Sequence, residues 1–213
     1  MSHSAQPAVR CPLPLTSRGS RTTAFHEAGH VVASVLCGHL VHQVQIGPYR
    51  GTLFNRHGQP VVCAGLTEGL PLADPSSIQT TLASRPEAKA HLRHRAVDNV
   101  FISGAGPAAE ARFSRRGWQA TVVGQSRYPD GDFADAMTAL EPFVAIPRHR
   151  SCLVYRIWEC SRRFVARPLV WNAVTTLAEQ LRANGKMDCD QIEASVRRQG
   201  IERMRYGHRL LKP

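Results

Sequence analysis

The residues best suited to chemistry are His26, Glu27 and His30, in the run His26-Glu27-Ala28-Gly29-His30. This is an H-E-x-x-H pattern. On a helix, residues i and i+4 lie one above the other, so both imidazoles can address a single ion. Zn²⁺ accepts imidazole nitrogen and keeps one coordination position open in catalytic sites. Glu27 falls about 100° round the helix from His26, beside such an ion without having to ligate it. There it can take a proton from a water that the metal polarises.

The surroundings sharpen this reading. Ala24, Phe25, Ala28, Val31, Val32, Ala33, Val35 and Leu36 make the stretch apolar on every side. Two histidines and a glutamate inside such a helix are costly to bury unless something compensates them. Glu27 is also the only acidic residue before Glu68. A metal supplies the positive partner that it lacks. The longer form H-E-x-x-H-x-x-G-x-x-H is not met, because Ala33 and Leu36 stand at its Gly and His places. His39 falls on the opposite helix face and His42 falls in a strand. The third ligand therefore comes from downstream acids or from His91 and His94, and the latter pair lies in a basic, polar run.

Several elements must position these groups. Residues 1–20 read as a flexible arm. Thr22 or Thr23 can N-cap a helix from about Ala24 to Leu36, stopped by Gly38. Val41 to Ile46 alternates like a half-buried strand. Residues 51–54 and 60–64 are short strands able to pair with it, giving a small sheet near residues 41–64. Residues 65–85 read mainly as loop. A long helix follows from Pro86 to Arg115. Its run of small residues, Ser103 to Ala109, lets another backbone or a metal site approach closely, and Pro107 must kink or divide it. Residues 117–131 look irregular. Further helices are expected over Asp132–Leu140, residues 149–166 and residues 169–184, the last closed by Gly185. Asp188 or Asp190 caps a final helix toward Arg198. Residues 199–213 form a basic tail. The fold class is α+β, mainly α-helical.

Composition bounds the function. The 213 residues suit one domain, and a hydrophobic fraction of 43% permits a proper core. No apolar run reaches the roughly 18 residues of a membrane span. The six cysteines show no C-x-x-C spacing, and the N-terminus lacks the apolar segment of a secretory signal. Both features suggest a cytoplasmic protein. Cys37 and Cys63 suit small core positions, and Trp118, Trp158 and Trp171 suit core or interface positions. The net charge is +11, with 24 arginines against 3 lysines. The arginines concentrate in residues 142–167 and 197–213, where a phosphate-binding surface is conceivable but no nucleic-acid reading motif accompanies it.

The segment T-A-F-H-E-A-G-H-V-V-A-S-V resembles the zinc site of the FtsH-type metallopeptidases. Two later segments follow in the family's order. Ile102 to Ala111, I-S-G-A-G-P-A-A-E-A, is similar to its small-residue helix. Asp130 to Leu140, D-G-D-F-A-D-A-M-T-A-L, is similar to its N-D-L-x-x-A-T segment. The run W-N-A-V-T-T-L-A-E-Q-L-R-A-N-G-K-M-D-C-D-Q-I resembles its closing helix pair. The resemblance spans roughly residues 22–198 and implies a zincin-like helical metallopeptidase domain over 21–198. It also implies that Asp132 completes the zinc site with His26 and His30. Pro107 stands where the family has Arg, and Gly131 where it has Asn. No G-x-x-x-x-G-K-[ST] run is present, so the family's ATPase half and its membrane anchors are not expected.

Asp132 also suits a helix N-cap, and Asp135 is an alternative third ligand. Glu110 suits either a carboxylate that holds a ligating His ring or a salt bridge to Arg112 or Arg115. The expected function is zinc-dependent cleavage of unfolded or flexible polypeptides. Glu27 is the general base, and a separate ATPase or oligomeric partner would deliver folded substrates. The alternative is a zinc-containing regulatory or nucleic-acid-binding protein without turnover, using the basic late helices.

Overall fold

Apolar side chains on every face of one helix set the architecture. In the computed structural model, which describes residues 17–47, 53–54, 60–61, 65–69, 75–128 and 131–200, that helix is α1 (Ser17–Leu36). Ala24, Ala28, Val31, Val32 and Ala33 are fully enclosed. A helix apolar all round is a central helix. It ends as expected. Gly38 takes φ +79°, its N–H bonds the Val35 carbonyl, and the His39 N–H bonds the Ser34 carbonyl. The left-handed turn suits glycine. The start differs from the sequence reading. The helix already runs at Ser17, within the segment read as an arm, so Thr22 and Thr23 lie inside it and do not cap it. The Thr23 methyl group instead packs against Gly65.

Strand β1 (Val41–Ile46) forms where alternation placed it. Its partners differ from those expected. Residues 53–54 (β2) and 60–61 (β3) pair with each other in a separate two-stranded sheet. β1 is flanked on one side by β4 (Gly65–Gly69) and on the other by β5 (Lys186–Asp188), both antiparallel. Both lay in stretches read as loop or helix boundary. They are short, and Gly-Leu-Thr-Glu-Gly shows little alternation, so their backbone pairing comes from tertiary context. The rest of the expected loop carries α2 (Pro75–Ser84).

After a short 3-10 turn at Pro86–Ala88, α3 runs unbroken from Lys89 to Ser114. Pro107 does not divide it. The proline removes one backbone donor, but Val100 to Ala109 is buried along most of its length, and that packing holds the helix together. Gly29 of α1 makes this packing close. A Cβ there would sit 2.4 Å from the Ala105 carbonyl oxygen. The irregular section expected over 117–131 contains α4 (Trp118–Gln125).

The later helices agree closely with their sequence signals. They are α5 (Asp132–Leu140), α6 (Pro147–Ala166), α7 (Pro168–Asn184) and α8 (Cys189–Arg198). Gly185 closes α7 with φ +73°. Asp188 caps α8 in a reciprocal box with Gln191. Trp158 of α6 is fully buried and lies so near Gly104 of α3 that a Cβ there would come within 2.5 Å of it. Trp118 and Trp171 are partly buried against the same core, as is Cys37. Cys63 and residues 201–213 of the expected tail lie outside the described residues. The fold is mainly helical with a small antiparallel sheet, and none of the described helices is long and apolar enough to cross a membrane.

Candidate metal centre

Three helices meet at one point. α1 supplies His26, Glu27 and His30 from successive turns, α3 presses its small-residue stretch against them, and the first turn of α5 brings Asp132. Small residues make this approach possible. A Cβ on Gly106 would lie 2.3 Å from His30 Nε2, so only glycine leaves room for the ring. Asp132 is not a cap. Gly131 holds the N-cap position, and the Asp132 carboxylate turns to the histidines. Its place in the first helical turn also suits a negative charge.

The ligand atoms converge. His26 Nε2 lies 3.1 Å from Asp132 Oδ2, His30 Nε2 lies 3.2 Å from Asp132 Oδ1, and the two Nε2 atoms are 3.0 Å apart. A tetrahedral ion with bonds of about 2.0–2.1 Å has ligand–ligand edges of about 3.3–3.4 Å. The observed separations come close to those edges. The far ring nitrogens fix the tautomers. His30 Nδ1 lies 2.9 Å from the Ile102 carbonyl oxygen, which can only accept, so Nδ1 carries the proton. His26 Nδ1 lies 3.1 Å from Glu110 Oε2 and donates to that carboxylate. In the neutral rings, both Nε2 atoms then carry lone pairs directed at the common centre. A cation between them would satisfy both lone pairs together with the Asp132 carboxylate.

The electrostatics point the same way. Burial pushes both imidazoles down, but the Asp132 carboxylate outweighs it. His26 is held well above the ordinary imidazole value, helped by Glu110, and His30 is raised as well. Burial pushes Asp132 up, but the two imidazoles opposite it hold its carboxyl far below the usual carboxylate range. Glu27 adds its negative field to both histidines. The site thus gathers carboxylates from Glu27, Glu110 and Asp132 around two imidazoles. The surplus is negative and favours a positive ion. Glu27 itself is buried at 7% exposure. Its Oε2 accepts a 2.7 Å hydrogen bond from the Thr67 hydroxyl of β4.

Other residues singled out by sequence fall elsewhere. Asp135, one turn further along α5, is exposed and lies outside the cluster. His39 pairs with Asp98 at 3.5 Å. His91 and His94 lie on the polar first turns of α3, outside the cluster. Glu110 combines the two roles weighed for it: it holds His26, and its Oε1 lies 3.7 Å from Arg116 Nη1. Its basic partner is thus Arg116, while Arg112 donates to the Val165 carbonyl and stacks over Trp171. Among the described cysteines, Cys37, Cys152, Cys160 and Cys189 form no disulfide, and burial raises Cys37 well above the usual thiol value. Sequence reasoning missed Thr67 and the Ile102 carbonyl. A backbone oxygen leaves no signal in a sequence, and a threonine in a stretch read as loop gives none either.

No protein-family model matches the chain, and no curated protein matches it.

Proposed function

We infer that this chain is a zinc-dependent peptidase that hydrolyses peptide bonds in unfolded or flexible polypeptides, without using ATP itself. One observation carries the reading: the Nε2 atoms of His26 and His30 and the Asp132 carboxylate converge within 3.2 Å of one another, with Glu27 on the adjoining helical position. Two imidazoles and a carboxylate suit zinc. The same donors also suit ferrous iron, but a base held beside the ligands on an H-E-x-x-H helix belongs to hydrolysis. The ion, when bound, supplies Lewis-acid chemistry: it polarises a carbonyl and makes water more acidic.

The protein's residues do the rest. His26, His30 and Asp132 hold the ion. Glu110 fixes the His26 ring and its tautomer, and the Ile102 carbonyl does the same for His30. Glu27 accepts the proton of the attacking water and returns it to the amine leaving group, so the carboxylate ends as it began. Folded substrates would need a separate ATPase or an oligomeric partner to unfold and deliver them.

The nucleic-acid reading draws less support. Arg162 and Arg163 of α6 both bond Glu159, and Arg150 bonds Glu141. Part of the arginine excess is thus engaged within its own helix or its neighbour. The test of the peptidase reading is cleavage of an unstructured polypeptide by the zinc-loaded chain, followed by mass spectrometry of the products. Glu27→Gln should bind zinc and lose activity by about 10²–10⁴-fold. Undiminished cleavage by Glu27→Gln would overturn the mechanism.

A further inference from the structure

The strand beside α1 does more than complete a sheet. β4 turns two of its residues toward the Glu27 side chain. The Thr67 hydroxyl donates to Glu27 Oε2 at 2.7 Å and lies 3.4 Å from the Glu27 carbonyl oxygen. A hydroxyl has one proton, so the shorter contact holds it. Two residues earlier, Gly65 leaves the space that Glu27 fills: a Cβ there would sit 2.6 Å from Oε1 and 2.7 Å from Cγ. Residues two apart on a strand share a face. The carboxylate is therefore gripped at one oxygen by Thr67 and packed closely against Gly65.

The register makes this placement specific. Thr67 pairs with Val44 and Gly65 with Ile46. Val44 is fully buried, so this face of the sheet looks onto α1. A slip of one residue would turn Glu68 or Leu66 inward instead. Glu68 would then bring a like charge against Glu27. Only the observed register places a donor there.

We propose that Thr67 is the positioning residue for the general base: its hydroxyl occupies Oε2, fixes the carboxylate plane, and leaves Oε1 as the oxygen that takes the proton from water. This rests on the peptidase reading of the same site. It adds an element that the histidine motif does not contain, and it explains why a glycine and a threonine two apart must face a buried glutamate. Thr67 touches no reacting atom and acts only through Glu27.

The test compares Thr67→Val, which keeps the shape and loses the donor, with Thr67→Ser, which keeps the donor. Zinc content is measured on each full-length variant. On an unstructured peptide, Thr67→Val should lower kcat by about 10- to 100-fold with KM nearly unchanged, because a misplaced catalytic group costs rate and not binding. Thr67→Ser should restore most of the rate. A second readout needs no turnover. A peptidyl hydroxamate binds a metal through two oxygens and hands a proton to a neighbouring carboxylate. Thr67→Val should weaken its binding several-fold when Glu27 is present and leave it unchanged in a Glu27→Gln background, as expected of coupled residues. Wild-type rates in Thr67→Val, or equal losses in both backgrounds, would overturn the proposal. Absence of cleavage by the wild type together with the hydroxamate coupling would instead overturn the peptidase reading and leave the role of Thr67 standing.

Discussion

Gly106→Ala isolates the packing that builds the centre. In an ordinary helix interior this change stabilises, by about 1 kcal/mol, because glycine is the poorer helix former. Here a Cβ would sit 2.3 Å from His30 Nε2 and 2.5 Å from Cε1, against an ordinary contact of 3.4 Å or more. The ring must retreat by about 1.1 Å, which is the difference between those two distances. That exceeds what a coordination bond of about 2.0–2.1 Å tolerates. The ring cannot simply swing, because Nδ1 is held by the Ile102 carbonyl at 2.9 Å. Overpacking costs about 1–3 kcal/mol, largely offset by the helix-propensity gain, so net destabilisation is about 0–2 kcal/mol. For a chain of this size that lowers the melting temperature by at most about 8 °C. Zinc affinity should fall far more. Disturbing a ligand's support alone costs 10- to 100-fold, so displacing the ligand itself should cost at least about 100-fold, or about 2.7 kcal/mol. Competition with a chromophoric chelator measures the affinity, and circular dichroism measures the melting. A Gly106→Ala chain that binds zinc as tightly as the wild type would refute the reasoning.

Other predictions separate the parts of the site. Asp132→Asn removes the only anionic ligand of the cluster and should weaken zinc binding by at least about 100-fold, whereas Asp135→Asn should leave it unchanged; the same chelator titration decides between them. Proton linkage gives a pH dependence. His26 and His30 have raised values in the protein, so below those values a metal must displace protons to bind. Zinc affinity should therefore fall as pH drops through the raised imidazole values, and calorimetry in buffers of different ionisation heat should show protons released on binding. Without metal, the histidine pairing stabilises the fold fully below the unfolded imidazole value and fades as pH rises through the raised one. The lowered Asp132 contributes above its unfolded value and is lost as pH falls through its folded one. Gly29→Ala, whose Cβ would meet the Ala105 carbonyl oxygen at 2.4 Å, should destabilise the fold by about 1–3 kcal/mol in chemical denaturation.

The sequence was most legible where local chemistry decides structure. Gly38 and Gly185 end their helices because both need positive φ. Asp188, one of the two caps expected for α8, does cap it, and Gln191 closes the box with it. The apolar periodicity of α5 gave its limits, and the H-E-x-x-H run placed two imidazoles together. Legibility failed where backbone groups pair across long distances. β5 lies far along the chain from β1, and nothing in Lys-Met-Asp announces a strand. Thr67 carries no sequence signal for the same reason, since its meaning depends on the register with Val44. Asp132 as the third ligand follows from the family resemblance and not from spacing. Glu110 lies 84 residues from the histidine that it holds, so only the small-residue helix around it hinted at a buried role.

The central claim is that His26, His30 and Asp132 hold one zinc ion. X-ray absorption spectroscopy of the zinc-loaded chain tests it most directly. The chain holds six cysteines, so thiolate ligation is the natural rival. One zinc per chain is expected, with nitrogen and oxygen neighbours at about 2.0–2.1 Å and an imidazole scattering pattern. A sulfur neighbour at about 2.3 Å, or a chain that retains no zinc, would contradict it.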